Sequence, residues 1–280
     1  MKRLLIATDL SPRSERALAR ALRLARQHGA ELRVLHVVDD ALPAHLAETQ
    51  RVAAENILKE RTQALAGDAA VAVSTAVVTG KPFAEILREA IAWAAELIVL
   101  GVYGGGTAGM FRGSTAERVI REGHHPVLVV RRDADADYRR AVAGVDFSLH
   151  SLWAARTGFR LAPQAEFHLV HSYVAPRSVV LAGNMRAQAR DLHVREMNRT
   201  IDEELSAFLA RLGDRLPPHK RLVVEGRAAD VLLHQAGRLP ADLLVAGTHG
   251  RTGVAHALLG SVAEDLLHQA HCDVLVAKAW

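Results

Sequence analysis

Leu4-Leu5-Ile6-Ala7-Thr8-Asp9-Leu10-Ser11 returns 137 residues later as Ala141-Val142-Ala143-Gly144-Val145-Asp146-Phe147-Ser148. In both copies an apolar run stops at an aspartate, and a serine follows two positions on. Apolar runs without alternation suit strands covered on both faces, the condition of a parallel sheet. The recurrence continues. Val34-Leu35-His36-Val37 comes back as Leu169-Val170-His171-Ser172, and Gly80-Lys81-Pro82 as Gly226-Arg227-Ala228. Leu97-Ile98-Val99-Leu100-Gly101 matches Leu243-Leu244-Val245-Ala246-Gly247, and Pro126-Val127-Leu128-Val129-Val130 matches Asp273-Val274-Leu275-Val276-Ala277. Order is kept while the offset grows from 137 at Asp9 to 146 at Gly101, mostly through extra residues after His171. A whole domain is duplicated, not a short solenoid unit.

Within the first copy, β-branched runs end at Thr8, Val38, Val78, Gly101 and Arg131, separated by amphipathic stretches such as Ser14 to His28 and Phe83 to Ala95. Strands alternating with helices predict a doubly wound α/β domain in each half. The expected domains are residues 1–132 and 139–280, joined by the polar segment Arg132 to Arg139 with its three aspartates. Ligands of such folds bind beyond the carboxyl ends of the strands, where strand order reverses.

Composition narrows the function classes. The chain has 280 residues, half of them hydrophobic, 24% charged and only 4% aromatic, so the core must be aliphatic. No apolar run approaches the ~18 residues of a membrane span, and the first one is cut short by Asp9, too soon for a secretory signal. The single Cys272 fits a reducing compartment, and a cytoplasmic location is expected. Thirty-five basic residues against 31 acidic ones leave a formal charge of +4, with both signs interspersed. That pattern describes a solvated surface rather than a nucleic-acid footprint.

Two groups of residues stand at the strand ends. Asp9 and Asp146 follow strand one, with Ser11-Pro12 reading as a helix cap followed by proline at the first helical position. Either aspartate could fasten its own turn, or accept hydrogen bonds from a ribose, or help to hold a divalent metal. After strand four the second half reads Gly247-Thr248-His249-Gly250, nine residues, then Gly260-Ser261. Glycines allow backbone amides to form a nest for an anion. Ser261-Val262-Ala263-Glu264 has capping-box spacing, which predicts a helix opened by Ser261. A helix N terminus also favours phosphate. The same residues could equally make a loop and a capped helix with no ligand.

The strand-one aspartate, the Leu-His-Val end of strand two, and Gly-x2-Gly-x9-Gly-Ser before a helix and a final apolar strand together resemble the universal stress protein family, in its tandem two-domain branch. The resemblance spans nearly the whole chain. It implies a five-stranded parallel sheet in each half, of strand order 3-2-1-4-5 with helices on both faces, and a pseudo-dimer of the halves through Val127 to Val130 and Val274 to Ala277. In ATP-binding members of the family the end of strand two receives adenine, which here corresponds to Ser172 and Val37. The strand-one carboxylate contacts ribose or metal, corresponding to Asp146 and Asp9. The triphosphate falls to Gly247, Gly250, Gly260, Ser261 and Val262, with Val145, Ala246, His249 and Arg251 beside them. The first-half equivalents are Thr8, Gly101, Gly104, Gly113, Ser114 and Thr115.

The first half departs from that pattern. Gly101-Val102-Tyr103-Gly104 is followed by only eight residues before Gly113-Ser114, and Gly105, Gly106 and Gly109 fill the interval. His249 and Arg251 replace Tyr103 and Gly105, adding phosphate partners to the second half alone. One working nucleotide site in the C-terminal half and one degenerate or structural copy are therefore expected. The implied ligand is ATP, with Mg or Mn reaching Asp146 through the nucleotide, and the implied role is a stress-response regulator whose behaviour follows occupancy. The alternatives are a slow ATP hydrolase and a nucleotide-free scaffold. No general base or arginine finger aims at a γ-phosphate, so at most weak turnover is expected, and no catalytic residue is assigned. An unidentified protein partner and a further homodimer are compatible with the chain. Scattered histidines (His124, His125, His249, His256, His271) lack metal-ligand spacing, and Cys272 reads as a buried, inert thiol. The insertion at Ala175 to Gly183 reads as a longer loop entering a helix that runs to about Leu212.

Overall fold

The structure, a computed structural model, describes residues 1–66, 71–102, 114–174, 187–213, 216–250 and 259–279, with backbone only at 65–66, 187–194 and 198. The first half runs β1 (Arg3–Thr8), α1 (Pro12–His28), β2 (Glu31–Val38), α2 (Ala44–Ala66), β3 (Val73–Thr79), α3 (Pro82–Ala92), β4 (Leu97–Gly101), α4 (Thr115–Glu122) and β5 (Val127–Val130). The second repeats the order with β6 (Arg140–Gly144), α5 (Leu149–Leu161), β7 (Glu166–Tyr173), α6 (Ala187–Leu212), β8 (His219–Glu225), α7 (Ala228–Arg238), β9 (Leu243–Gly247), α8 (Ser261–Gln269) and β10 (Asp273–Ala277).

All ten strands form one sheet, ordered β3-β2-β1-β4-β5-β10-β9-β6-β7-β8. Each half has the order 3-2-1-4-5 and is parallel throughout, as expected. The halves meet where β5 and β10 run antiparallel, pairing Val129 with Val274, Leu128 with Leu275 and Val127 with Val276. Strand side chains alternate between faces. Leu4, Ile6, Leu128 and Leu275 therefore enter one core layer, and Leu5, Val129, Val142 and Val274 the other. Both layers are continuous across the β5–β10 seam.

Local signals account for the helix starts. Ser11 and Ser148 cap α1 and α5, accepting from the amides of Ser14 and Ser151. Gly29 ends α1 in the left-handed conformation, at φ 59°. Between each strand-one aspartate and its capping serine, Leu10 and Phe147 are left-handed at φ 63° and 64°, an uncommon conformation for side chains with a Cβ. One expected cap is corrected. Ser261 is the first residue inside α8, and Gly260 is the cap residue. The Gly260 amide donates to the Thr248 carbonyl at 2.8 Å. That bond holds Gly260 extended (φ −63°, ψ 143°), so Gly260 takes the cap position and the first helical turn begins at Ser261, one residue earlier than the capping-box spacing predicts. The matching Ser114 in the first half does cap, accepting from the Glu117 amide at 3.2 Å.

Residues 131–139 lie against α1. Arg20 donates to the carbonyls of Ala136 and Asp133, Arg16 to that of Arg131, and Arg23 pairs with Asp137. These arginines stand at i, i+4 and i+7, one face of a helix. Across the seam, fully buried Asp273 accepts from the amides of Arg131 and Arg132 and from the Tyr138 hydroxyl, and lies 3.3 Å from the Arg20 guanidinium.

Candidate functional site

The turn after strand one is built around its aspartate. In the second half the Asp146 Oδ1 accepts from the Ser148 amide at 3.0 Å and hydroxyl at 2.6 Å, an Asx turn that carries Phe147 through its left-handed conformation. In the first half Asp9 accepts from the Ser11 amide at 3.0 Å. Partial burial would raise the Asp9 carboxyl, but hydrogen bonds from Ser11 and Ser14 outweigh it and hold the group below its ordinary value. Both alternatives for the aspartate are thus compatible, because the turn uses one oxygen and Asp146 presents the other to Gly250. A Cβ built on Gly250 would stand 3.0 Å from Oδ2.

Strand two reaches the same end of the sheet. In a parallel strand both polar groups of a residue point to one neighbour, and the side alternates along the chain. The Glu166 amide donates to Arg139 on the β6 side, and the Tyr173 carbonyl accepts from Gly226 on the β8 side. Ser172 therefore faces β6, beyond its last paired residue, Gly144 opposite Val170. Val37 faces β1 in the same way, one residue beyond Thr8 opposite His36. The neighbouring histidines close the end of strand one. His171 Nδ1 bonds the Val145 carbonyl at 2.7 Å, and His36 Nδ1 bonds that of Thr8 at 2.9 Å. A carbonyl only accepts, so Nδ1 carries the proton in both rings. Phe147 stacks on His171 at 4.5 Å between centroids.

These ends enclose a cavity of about 370 Å³ in the second half. Every described residue assigned there from the sequence lines it: Val145, Asp146, Ser172, Ala246, Gly247, His249, Gly250, Gly260, Ser261 and Val262. Arg251 lies outside the described residues. The first half has a cavity of about 380 Å³ lined by Thr8, Asp9, Val37, Gly101, Ser114 and Thr115, while Gly104 and Gly113 lie outside the described residues. Both cavities join an apolar floor (Val170 and Leu232, or Leu35 and Ile86) to the N terminus of a helix. In α8 the first intrahelical bond is from Glu264 to Gly260, so the amides of Ser261, Val262 and Ala263 make no bond within the helix.

The glycines play different parts. A Cβ on Gly247 would stand 2.8 Å from the His150 carbonyl carbon and 2.9 Å from the Ser151 nitrogen, and one on Gly260 would stand 2.6 Å from the Thr248 oxygen. These two are required by close backbone packing, and the Gly260 amide is already bonded to Thr248. Only Gly250 turns its missing side chain toward the cavity carboxylate. His249 Nδ1 lies 3.0 Å from the Thr248 hydroxyl, and its ring is 5.3 Å from that of His150.

Sequence reasoning missed the apolar floors and several other lining residues. Pro82 and Ala228, at the starts of α3 and α7, line the cavities, and the repeated Gly80-Lys81-Pro82 and Gly226-Arg227-Ala228 were the available signal. Arg13 in the first turn of α1 lines the first cavity where the second half has His150, and nothing in the repeat points to it. Among the described residues no three His, Cys, Asp or Glu groups gather to hold a metal, and no helix is long and apolar enough to cross a membrane. Burial, with Asp273 adding to it, pushes the Cys272 thiol up to about 12, out of reach of thiolate chemistry near neutrality. The insertion at 175–183 and His256 fall outside the described residues.

Comparison with known proteins gives one family. The model of the universal stress protein family matches twice, at residues 1–131 and 137–278. A universal stress protein of Mycobacterium tuberculosis is 29% identical over 294 residues, which cover 98% of this chain and 96% of that protein. One from Thermus aquaticus is 35% identical over 136 residues, 46% of this chain but 98% of its own length. Among solved structures, a universal stress protein from Archaeoglobus fulgidus superposes with a TM-score of 0.71 at 20% identity, covering 99% of this chain and 98% of that one.

Proposed function

The chain belongs to the universal stress protein family, and on that premise we propose that it is an ATP-binding regulatory protein whose C-terminal cavity takes the nucleotide. One observation carries the reading: the Asp146 carboxylate, Gly250 and the first turn of α8 line a single hollow together with the open main chain of Ser172. Its volume of about 370 Å³ lies in the range of small-molecule pockets, roughly 300–1,000 Å³. Each part of the hollow has chemistry for one part of ATP. Val170, Ala228 and Leu232 offer apolar surface to a purine, and the Ser172 amide and carbonyl can bond its edge. Asp146 Oδ2 accepts from ribose hydroxyls. The amides of Ser261 to Ala263 and the helix dipole suit phosphate oxygens. A divalent ion would come with the phosphates and add Asp146 as its protein ligand, since one carboxylate alone makes a weak metal site.

Ser261→Asp tests the reading. An acid in the first turn of α8 favours the helix while setting a negative charge where the phosphates are expected. Calorimetric titration of wild type with ATP should give micromolar to millimolar affinity, and Ser261→Asp should weaken its C-terminal component at least about tenfold with unchanged circular dichroism. No ATP binding by wild type, or identical binding by the variant, would refute it. Occupancy would then act on the rest of the molecule through α8 and β10, which lead from the cavity to the seam.

A further inference from the structure

The two cavities share a plan but not their charge. In the first half the cavity is continued by a hollow of about 200 Å³ lined by Arg13, Arg16, Val102, Val130 and Arg131. Arg13 and Val102 belong to both spaces, so the hollow adjoins the cavity where the first turn of α1 meets the end of β4. Among the described residues no carboxylate lines it. The corresponding residues of the second half are His150, Trp153 and Lys278.

The arginines are not there to serve the helix that carries them. Arg13 and Arg16 stand in the first turns of α1, at the positive end of its dipole, where cations are disfavoured. Glu15, the acid of that first turn, is paired instead with Arg61 at 2.7 Å. Among the described residues Arg13 has neither a hydrogen-bond nor an ion-pair partner. Arg16 is exposed and keeps only a 3.7 Å contact with Asp133 beside its bond to the Arg131 carbonyl. Arg131 donates to the Leu267 carbonyl, and its Nε is buried without a partner. The Arg131 side chain is thus committed to α8, and Arg13 and Arg16 leave two guanidinium groups with little counter-charge at one opening, where an anion bridging them is favoured.

We propose that the first cavity and this hollow form one elongated site that selects nucleoside polyphosphates by the length of the phosphate chain, with the terminal phosphates held by Arg13 and Arg16. The inference rests on the nucleotide reading of the fold's cavities, but it assigns the N-terminal half a ligand preference of its own. The second half, with His150 and Trp153 in place of these two arginines, discriminates less.

AMP, ADP and ATP titrated into the full-length Ser261→Asp protein report the N-terminal site as the tighter component, the C-terminal one being weakened. The expected affinity rises from AMP to ATP by about tenfold or more, the effect of added charged hydrogen bonds. Arg13→Glu, a change that suits the N terminus of α1, should abolish that rise, read as the ratio of ATP to AMP affinity within the variant. Inorganic tripolyphosphate should bind the Ser261→Asp protein and lose its binding in the Arg13→Glu form. Equal affinities for AMP and ATP, or a rise that survives Arg13→Glu, would overturn the proposal. Absence of binding in Ser261→Asp while wild type binds ATP would overturn it too, leaving the C-terminal reading standing. Failure of wild type to bind any nucleotide would remove both.

Discussion

Gly247, Gly250 and Gly260 share one motif, yet the physics that requires glycine differs among them. At Gly247 a methyl group would meet the backbone of α5, and at Gly260 the carbonyl of Thr248, at 2.8 and 2.6 Å. Backbone cannot swing aside as a side chain can. Gly247→Ala and Gly260→Ala should each destabilise the fold by about 1–3 kcal/mol, read as a lower urea midpoint. Among the described residues, Gly250→Ala meets only the end of the Asp146 side chain. It should leave stability within about 1 kcal/mol and weaken ATP binding in calorimetry. A stable Gly260→Ala protein would show that the packing reading of that position is wrong. Loss of binding in a Gly260 variant is therefore no measure of ligand contact, whereas loss in Gly250→Ala is.

Contacts between elements make the fold sensitive to acid. His28, at the end of α1, bonds the Leu161 carbonyl at the end of α5 at 3.0 Å. His168 is buried in β7 with Nδ1 unpartnered, near Glu166 and Lys220. His125 is half-buried before β5. Burial pushes all three imidazoles below the ordinary 6.5, against the pull of the Leu161 carbonyl at His28 and of Glu166 at His168. The native state keeps them neutral while the unfolded chain binds protons first. Their stabilisation is complete above 6.5 and declines as pH falls through it, until the native imidazoles also titrate. The urea midpoint should drop between about pH 7.5 and about pH 5.5, and His168→Leu should flatten the drop. A midpoint independent of pH in wild type would contradict this. What was legible in the sequence follows the same division between local and long-range causes. Strand ends at Thr8, Val38 and Gly101, and caps at Ser11 and Ser148, depend on neighbours in the chain. The α8 cap was misread because a carbonyl twelve residues back, on Thr248, holds Gly260. Arg13 escaped notice because only folding sets it beside Arg131, 118 positions away.

At the scale of the whole molecule, the question is whether two repeated halves behave as two bodies. The direct ladder between them is short, three residue pairs of β5 and β10, but both core layers run through it. Asp273 draws Arg20, Tyr138 and the Arg131 and Arg132 amides to the seam. Its position in the first half is occupied by Pro126, so this link has no symmetric copy. Removing the carboxylate leaves the Arg20 guanidinium, with 5% of its side chain exposed, without its counter-charge. Breaking such a buried pair costs about 3–5 kcal/mol. Tryptophans report each half separately: Trp93 follows α3 and Trp153 lies in α5. In a Trp280→Phe background, with Trp153→Phe or Trp93→Phe to leave one reporter, both should give the same urea midpoint. Asp273→Ala should lower both midpoints together, because a continuous sheet transmits the loss across the seam. A fall confined to the Trp153 signal would mean that the halves unfold independently, and coupling of the two cavities through β10 would then lack a physical path.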